Sequence, residues 1–177
     1  MLTHKRKKAG QALVEFALSI TLIFLLLSAT IDLGLAFFAY QGISGAAQEG
    51  ASYGSLFPMN GNTLNYASIR DRARYEGGAN AALAHRARFV DLMDLDNDDK
   101  PDTAAVVEAQ ILVSVVKNSV NDNPNVALVC SASKITVKYC DMVVRVNYNY
   151  KPFFSAAKMF GLGEIKLFAQ RQMTIAR

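Results

Sequence analysis

The apolar and polar positions fall into three stretches with different periods. From Ala12 to Tyr40 nearly every residue is apolar, and only Glu15 and Asp32 carry charge. A helix apolar on all sides is solvated by a bilayer, not by water. At 1.5 Å per residue, about 20 residues cross the hydrocarbon core, so this run is long enough to span it. Phe37, Phe38 and Tyr40 stand where an aromatic belt would lie. A secretory signal peptide would have a shorter apolar stretch and a small-residue cleavage site, and neither is present.

The second stretch, residues 41–54, is crowded with Gly42, Ser44, Gly45, Ala46, Ala47, Gly50, Ala51, Ser52 and Gly54. Glycine weakens a helix, so this density needs a return: small side chains let another element approach closely. A flexible linker is the alternative. Pro58 and Asn60-Gly61-Asn62 end the segment. Residues 66–90 read as one or two helices broken at Gly77-Gly78, with Ile69, Ala73, Ala82, Leu83 and Phe89 as inner positions. Arg70, Arg72, Arg74, Arg86 and Arg88 read as a solvated face, with a lipid-headgroup or partner-binding stripe as the alternative.

The third stretch has the period of strands. Val106 to Val116 is rich in β-branched residues. Ile135, Val137 and Tyr139 alternate with polar neighbours, as do Met142, Val144, Val146, Tyr148 and Tyr150. Ile165, Leu167, Ala169, Met173 and Ile175 alternate too, with Arg171 as the exception. Period two means one buried face. The expected fold is α+β: a long N-terminal transmembrane helix packed on a C-terminal antiparallel β-sheet domain. The expected organisation is a basic cytoplasmic leader over residues 1–10, the membrane helix and its exported extension over 11–57, and an exported α+β domain over 58–177.

Charge sharpens this picture. Lys5, Arg6, Lys7 and Lys8 account for the whole net charge of +4; the other fifteen basic residues balance the fifteen acids. A basic cluster just before the apolar run predicts a cytoplasmic N-terminus and an exported C-terminal domain in a single-pass protein of the inner membrane. No basic excess remains for a folded nucleic-acid face, so nucleic acid is not an expected partner. Two histidines, no Ser/His/Asp set and no phosphate loop argue against an enzyme. Cys130 and Cys140 form an even pair in a domain placed outside the cytoplasm, which predicts a disulfide; two buried free thiols are the alternative. A simple hairpin turning at residues 131–134 would not set them opposite one another, so a bridge needs a wider turn.

Residues 10–16 read Gly-Gln-Ala-Leu-Val-Glu-Phe. A basic leader closing on Gly10, with Glu15 at the start of an apolar helix, resembles the processing site of type IV prepilins. The resemblance implies cleavage by a prepilin peptidase after Gly10, a new N-terminus at Gln11, and Glu15 paired with the amine of a neighbouring subunit, where low dielectric makes the pairing demanding. With Ile31-Asp32-Leu33-Gly34, Ala36-Phe37-Phe38-Ala39-Tyr40-Gln41 and Ala46-Ala47-Gln48-Glu49-Gly50-Ala51, the stretch over about residues 9–54 resembles the TadE family. Those proteins are similar to minor pilins, or pseudopilins, of the tight-adherence (Flp) branch of type IV pili, which serve cell adhesion. The resemblance implies a pilin-like fold, no catalysis, assembly positions at Glu15, Asp32 and Gly34, and as partners the membrane, other pilins or pseudopilins and the pilus assembly platform. Thr21 stands where the family usually has proline, which predicts a less kinked helix, and Leu35 and Gln48 stand where it usually has arginine.

Residues 94–102 read Asp-Leu-Asp-Asn-Asp-Asp-Lys-Pro-Asp. Asp94, Asp96, Asp98 and Asp102 take the first, third, fifth and ninth places of an Asp-x-Asp-x-Asp loop, the pattern by which carboxylates gather around calcium. Asp99 stands where a calcium loop normally has glycine, and Ala105 where an EF-hand has its bidentate glutamate; a plain acidic loop is the alternative. The functional alternative to a pilin-like subunit is a membrane-tethered exported binding module, calcium-dependent through this loop, that never enters a filament.

Overall fold

The computed structural model describes residues 4–56, 59–60, 63–75, 90–117, 140–153, 161 and 163–175. Helix α1 runs unbroken from His4–Leu56. Strands β1 (Met59–Asn60) and β2 (Thr63–Leu64) form a short antiparallel ladder, followed by α2 (Tyr66–Tyr75). Helix α3 (Ala104–Gln110) leads directly into β3 (Ile111–Lys117). Strands β4 (Cys140–Tyr150) and β5 (Ile165–Thr174) complete an antiparallel sheet of order β3-β4-β5. The architecture is therefore α+β, as the periods predict: a long apolar helix and a three-stranded antiparallel sheet.

The helix is one element with two surfaces. Residues 10–27 are exposed on every side. From Ala39 onward a stripe of Ala39, Ile43, Ala46, Ala47, Gly50, Ala51 and Gly54 turns inward at the helical period. The stripe faces β4, whose Met142, Val144 and Val146 are fully buried, as is Ile69 of α2. The small residues are what allow the approach. A Cβ at Gly50 would lie 3.0 Å from Ala73 Cβ, and one at Gly54 only 2.5 Å from Met142 Sδ and Cε. The 41–54 segment is thus the packed half of α1, and the linker alternative is corrected.

Register fixes which face is inner. Val144 pairs with Val113 on β3 and with Arg171 on β5. Cys140, Met142, Val144, Val146, Tyr148 and Tyr150 are all buried; their neighbours alternate to half-buried from Arg145 onward, while Asp141 and Val143 at the head of β4 are buried too. Arg171, the exception on β5, reaches to α1 and donates from Nη2 to Ser44 Oγ at 2.7 Å.

Three further expectations change. Residues 106–110 are helical, and the strand begins only at Ile111. Thr103 supplies the cause: it sits in extended backbone as the N-cap, with its hydroxyl accepting the Val106 N–H. Arg74 is buried, with Nε donating to Leu92 O, and is not part of a solvated face. Arg70 and Arg72 are likewise engaged within the domain, with Glu108 and Glu49, each at 2.9 Å. Ala82, Leu83, Arg86, Arg88 and Phe89, the Gly77-Gly78 break, the strand at 134–139 and Cys130 lie outside the described residues. Cys140 is fully buried at the head of β4 and is not a free cysteine.

Candidate functional site

The first candidate region is the bare stem. Leu13, Val14, Phe16, Leu18, Leu22, Ile23, Phe24 and Leu26 are each more than half exposed. A helix of 47 residues from Gly10–Leu56 is long and apolar enough to cross a membrane, and its most apolar window is buried nowhere against the protein. The hydroxyl groups of the stem are closed off internally. Ser19, Thr21, Ser28 and Thr30 each donate to a carbonyl of the preceding turn, namely Glu15 O, Ala17 O, Leu25 O and Leu26 O, at 2.8–2.9 Å. Hydrocarbon demands this, because it offers no partner to an unsatisfied hydroxyl. Thr21, standing where the family it resembles usually has proline, is one of the four.

The processing and assembly residues all lie on this helix, and the fold does not bring them together. Gly10, Gln11 and Glu15 are exposed. Apart from the helix's own backbone and the adjacent residues, no described atom lies within 4 Å of where a Cβ at Gly10 or Gly34 would stand. Glu15 and Asp32, seventeen residues apart, are separated by about 26 Å of helix, most of the thickness of the hydrocarbon core.

Asp32 marks the junction of stem and sheet. Its Oδ1 accepts the Phe153 N–H at 2.9 Å, and its carbonyl accepts the Tyr150 hydroxyl at 3.3 Å. Burial raises the Tyr150 pKa, and the Asp32 charge adds to the rise. These contacts join positions 121 and 118 residues apart in sequence, and no local signal announces them.

The second candidate region is the acidic loop. Asp94, Asp96 and Asp102 converge, with one carboxylate oxygen from each within 4.8 Å of the others. Asp98 departs from the expected set: its Oδ1 accepts the Lys100 N–H, and its Oδ2 lies 4.0 Å from Lys100 Nζ. Asn97 and Asp99 both adopt positive φ, 58° and 67°, so Asp99 takes the left-handed conformation for which glycine is usual. Asp94 accepts the N–H groups of Asp98 and Asp99, each at 2.9 Å, which closes the turn. The loop is fastened to the end of β4: Asn149 N–H donates to Leu95 O, Asn149 Nδ2 to Asp96 O, and Lys151 Nζ to Asn97 O.

Among the described residues, Asp96 Oδ1 and Asp102 Oδ1 are sealed from solvent and receive no hydrogen bond. Such atoms are costly as carboxylate oxygens, and a cation or a proton would relieve them. Desolvation raises the pKa of both groups, and neighbouring aspartates add to the rise. The oxygen-only donor set suits a hard cation such as calcium, with Asp94, Asp96 and Asp102 as the groups that would hold it.

An exposed apolar stem continuous with a helix that packs on a sheet defines a single-pass, helix-anchored α+β protein. The model of the family described as TadE-like protein matches residues 10–52, and so bears out the resemblance over the stem and the small-residue stripe. That match indicates a protein associated with Tad pilus systems. No curated protein and no solved structure gives a significant match.

Proposed function

We propose that this chain is a minor pilin-like, or pseudopilin, subunit for assembly of a tight-adherence (Flp) type IV pilus, and that it is not a catalyst. The observation that carries the reading is the division of α1. Its first half is an apolar stem that no described part of its own domain covers, and its second half is the spine of the folded domain. The TadE-like match spans both halves and begins at Gly10, the candidate processing residue. In this reading a prepilin peptidase cuts after Gly10 on the cytoplasmic face. Gln11 then becomes the N-terminus, Glu15 pairs with the amine of a sister subunit, and Gly34 offers a close-packing position on the stem. The sheet domain lies on the exported side, with Cys140 bridged to Cys130. Partners are sister pilins and the assembly platform.

The test is the intact mass and N-terminal sequence of the protein purified from native membranes, before and after reduction. A start at Gln11 that is lost on Gly10 substitution, with a mass gain on reduction, is the expected result. A start at Met1 in cells with active prepilin peptidase would refute the processing step.

The two sealed oxygens of Asp96 and Asp102 favour keeping a second reading, a membrane-tethered binding module that uses calcium at the acidic loop. Retention of residues 1–10 together with calcium-dependent stability would favour it.

A further inference from the structure

The junction at Asp32 carries an apolar rim that the stem and the sheet core do not account for. Phe153 is 76% exposed, and its N–H is held on Asp32 Oδ1. The Tyr150 hydroxyl on the Asp32 carbonyl ties down the end of β4 beside it. On the helix, Leu33 is 73% exposed, Phe37 57% and Phe38 51%. Leu33, Phe37 and Phe38 lie within about 9 Å of Asp32 along the helix axis, just past the bare stem.

We propose that this rim is a second membrane contact, in which Phe153 and the end of β4 rest in the bilayer interface beside the emerging helix. This contact goes beyond the pilus reading and requires only that the stem spans a bilayer. Counting about 20 residues from Ala12 places the far edge of the hydrocarbon core at Asp32. The two hydrogen bonds to Asp32 therefore set Phe153 at the depth where aromatic side chains are enriched. A lipid surface is the occupant because, past the single charge at Asp32, the helix from Leu33 to Tyr40 is uncharged and apolar like the stem from Ala17 to Ile31. With two contacts the domain is held at a fixed height, where a single helix would leave it free to tilt.

The chain contains no tryptophan, so one introduced indole reports on its own surroundings. The full-length chain is reconstituted in phosphatidylcholine vesicles with and without bromine on the acyl chains near the interface. Three single variants are compared. Phe24→Trp on the stem is the lipid-facing control. Leu56→Trp, 62% exposed and about 36 Å further along the helix than Asp32, is the water-facing control. Phe153→Trp is the test. Bromolipid should quench Phe153→Trp as it quenches Phe24→Trp, with blue-shifted emission, and leave Leu56→Trp unchanged. An unquenched Phe153→Trp beside a quenched Phe24→Trp overturns the proposal. Water-like emission would then mean the rim is bare, and blue-shifted emission would mean that a protein surface, such as a second copy, covers it.

Discussion

The packing of α1 on the sheet predicts that one substitution changes sign with its background. An alanine at position 54 would place its Cβ 2.5 Å from Met142 Sδ and Cε and 2.9 Å from Ile69 Cδ1. Met142 is fully buried, so its end has no open solvent to swing into. Overpacking of this kind costs about 1–3 kcal/mol, while replacing glycine by alanine inside a helix returns about 0.5–1 kcal/mol. Gly54→Ala alone should therefore lie between neutral and about 2 kcal/mol destabilising. Met142→Ala alone removes a buried side chain and should cost about 2–5 kcal/mol. In that background the space is open, the flexible end of Ile69 gives way, and Gly54→Ala should stabilise by about 0.5–1 kcal/mol. The coupling between the two sites is then about 1–3 kcal/mol, within the range for residues in contact. Urea unfolding of the full chain in detergent, followed by tyrosine fluorescence, measures all four corners of the cycle. If Gly54→Ala has the same effect in both backgrounds, to within about 0.5 kcal/mol, the helix does not meet the sheet at Met142 and the seam described above is wrong.

Two other outcomes follow from buried charge. Asp96 and Asp102 bind protons more tightly in the folded chain than in the unfolded one. Their contribution to stability is thus fully present below the ordinary aspartate range and is lost as pH rises through their raised folded values. Asp96→Asn should flatten this fall and raise the melting temperature at neutral pH; calcium should raise it in the parent chain and not in the variant, whereas no response of the parent to calcium would make the loop a plain acidic turn. Arg74→Ala removes a buried donor to Leu92 O and a cation whose charge lowers the Asp102 pKa, so it should cost about 1.5–3 kcal/mol and steepen the pH dependence. A urea midpoint unchanged from the parent would show that Arg74 is free to reach solvent.

Much of the fold could be read in the sequence because it rests on periods. The apolar run has no polar face, the strand alternates from Val144 to Tyr150, and the small residues at 42–54 repeat at helical spacing. What could not be read depends on partners distant in the chain. Arg74 looks like its neighbours Arg70 and Arg72 until Leu92 comes to lie against it. Val106 and Val107 have strand composition, and only the cap at Thr103 turns them into a helix. Alternating aspartates pointed to the acidic loop but not to which of them converge. Asp98 and Asp102 have equal claims in the pattern, yet the turn sends Asp98 to Lys100 and leaves Asp102 beside Asp96.

Asp32 is where the sequence pattern and the geometry pull apart most usefully. An acid at the edge of an apolar helix reads either as a headgroup contact or as an assembly residue. The structure gives it a third task, holding Phe153 N–H and Tyr150 and so fixing the sheet to the stem. A loss of assembly on replacing Asp32 would therefore mix a docking defect with any subunit contact. Glu15 and Gly34 lack that ambiguity: Glu15 is exposed on the stem, and Gly34 has open space where a side chain would go. If the stem packs against sister stems, Glu15→Gln and Gly34→Leu should leave the unfolding midpoint of the single chain unchanged and still prevent its incorporation. If both variants assemble normally, the stem is an anchor and nothing more. That separation follows from the fold itself, because among the described residues the domain leaves Glu15 exposed and the space at Gly34 open.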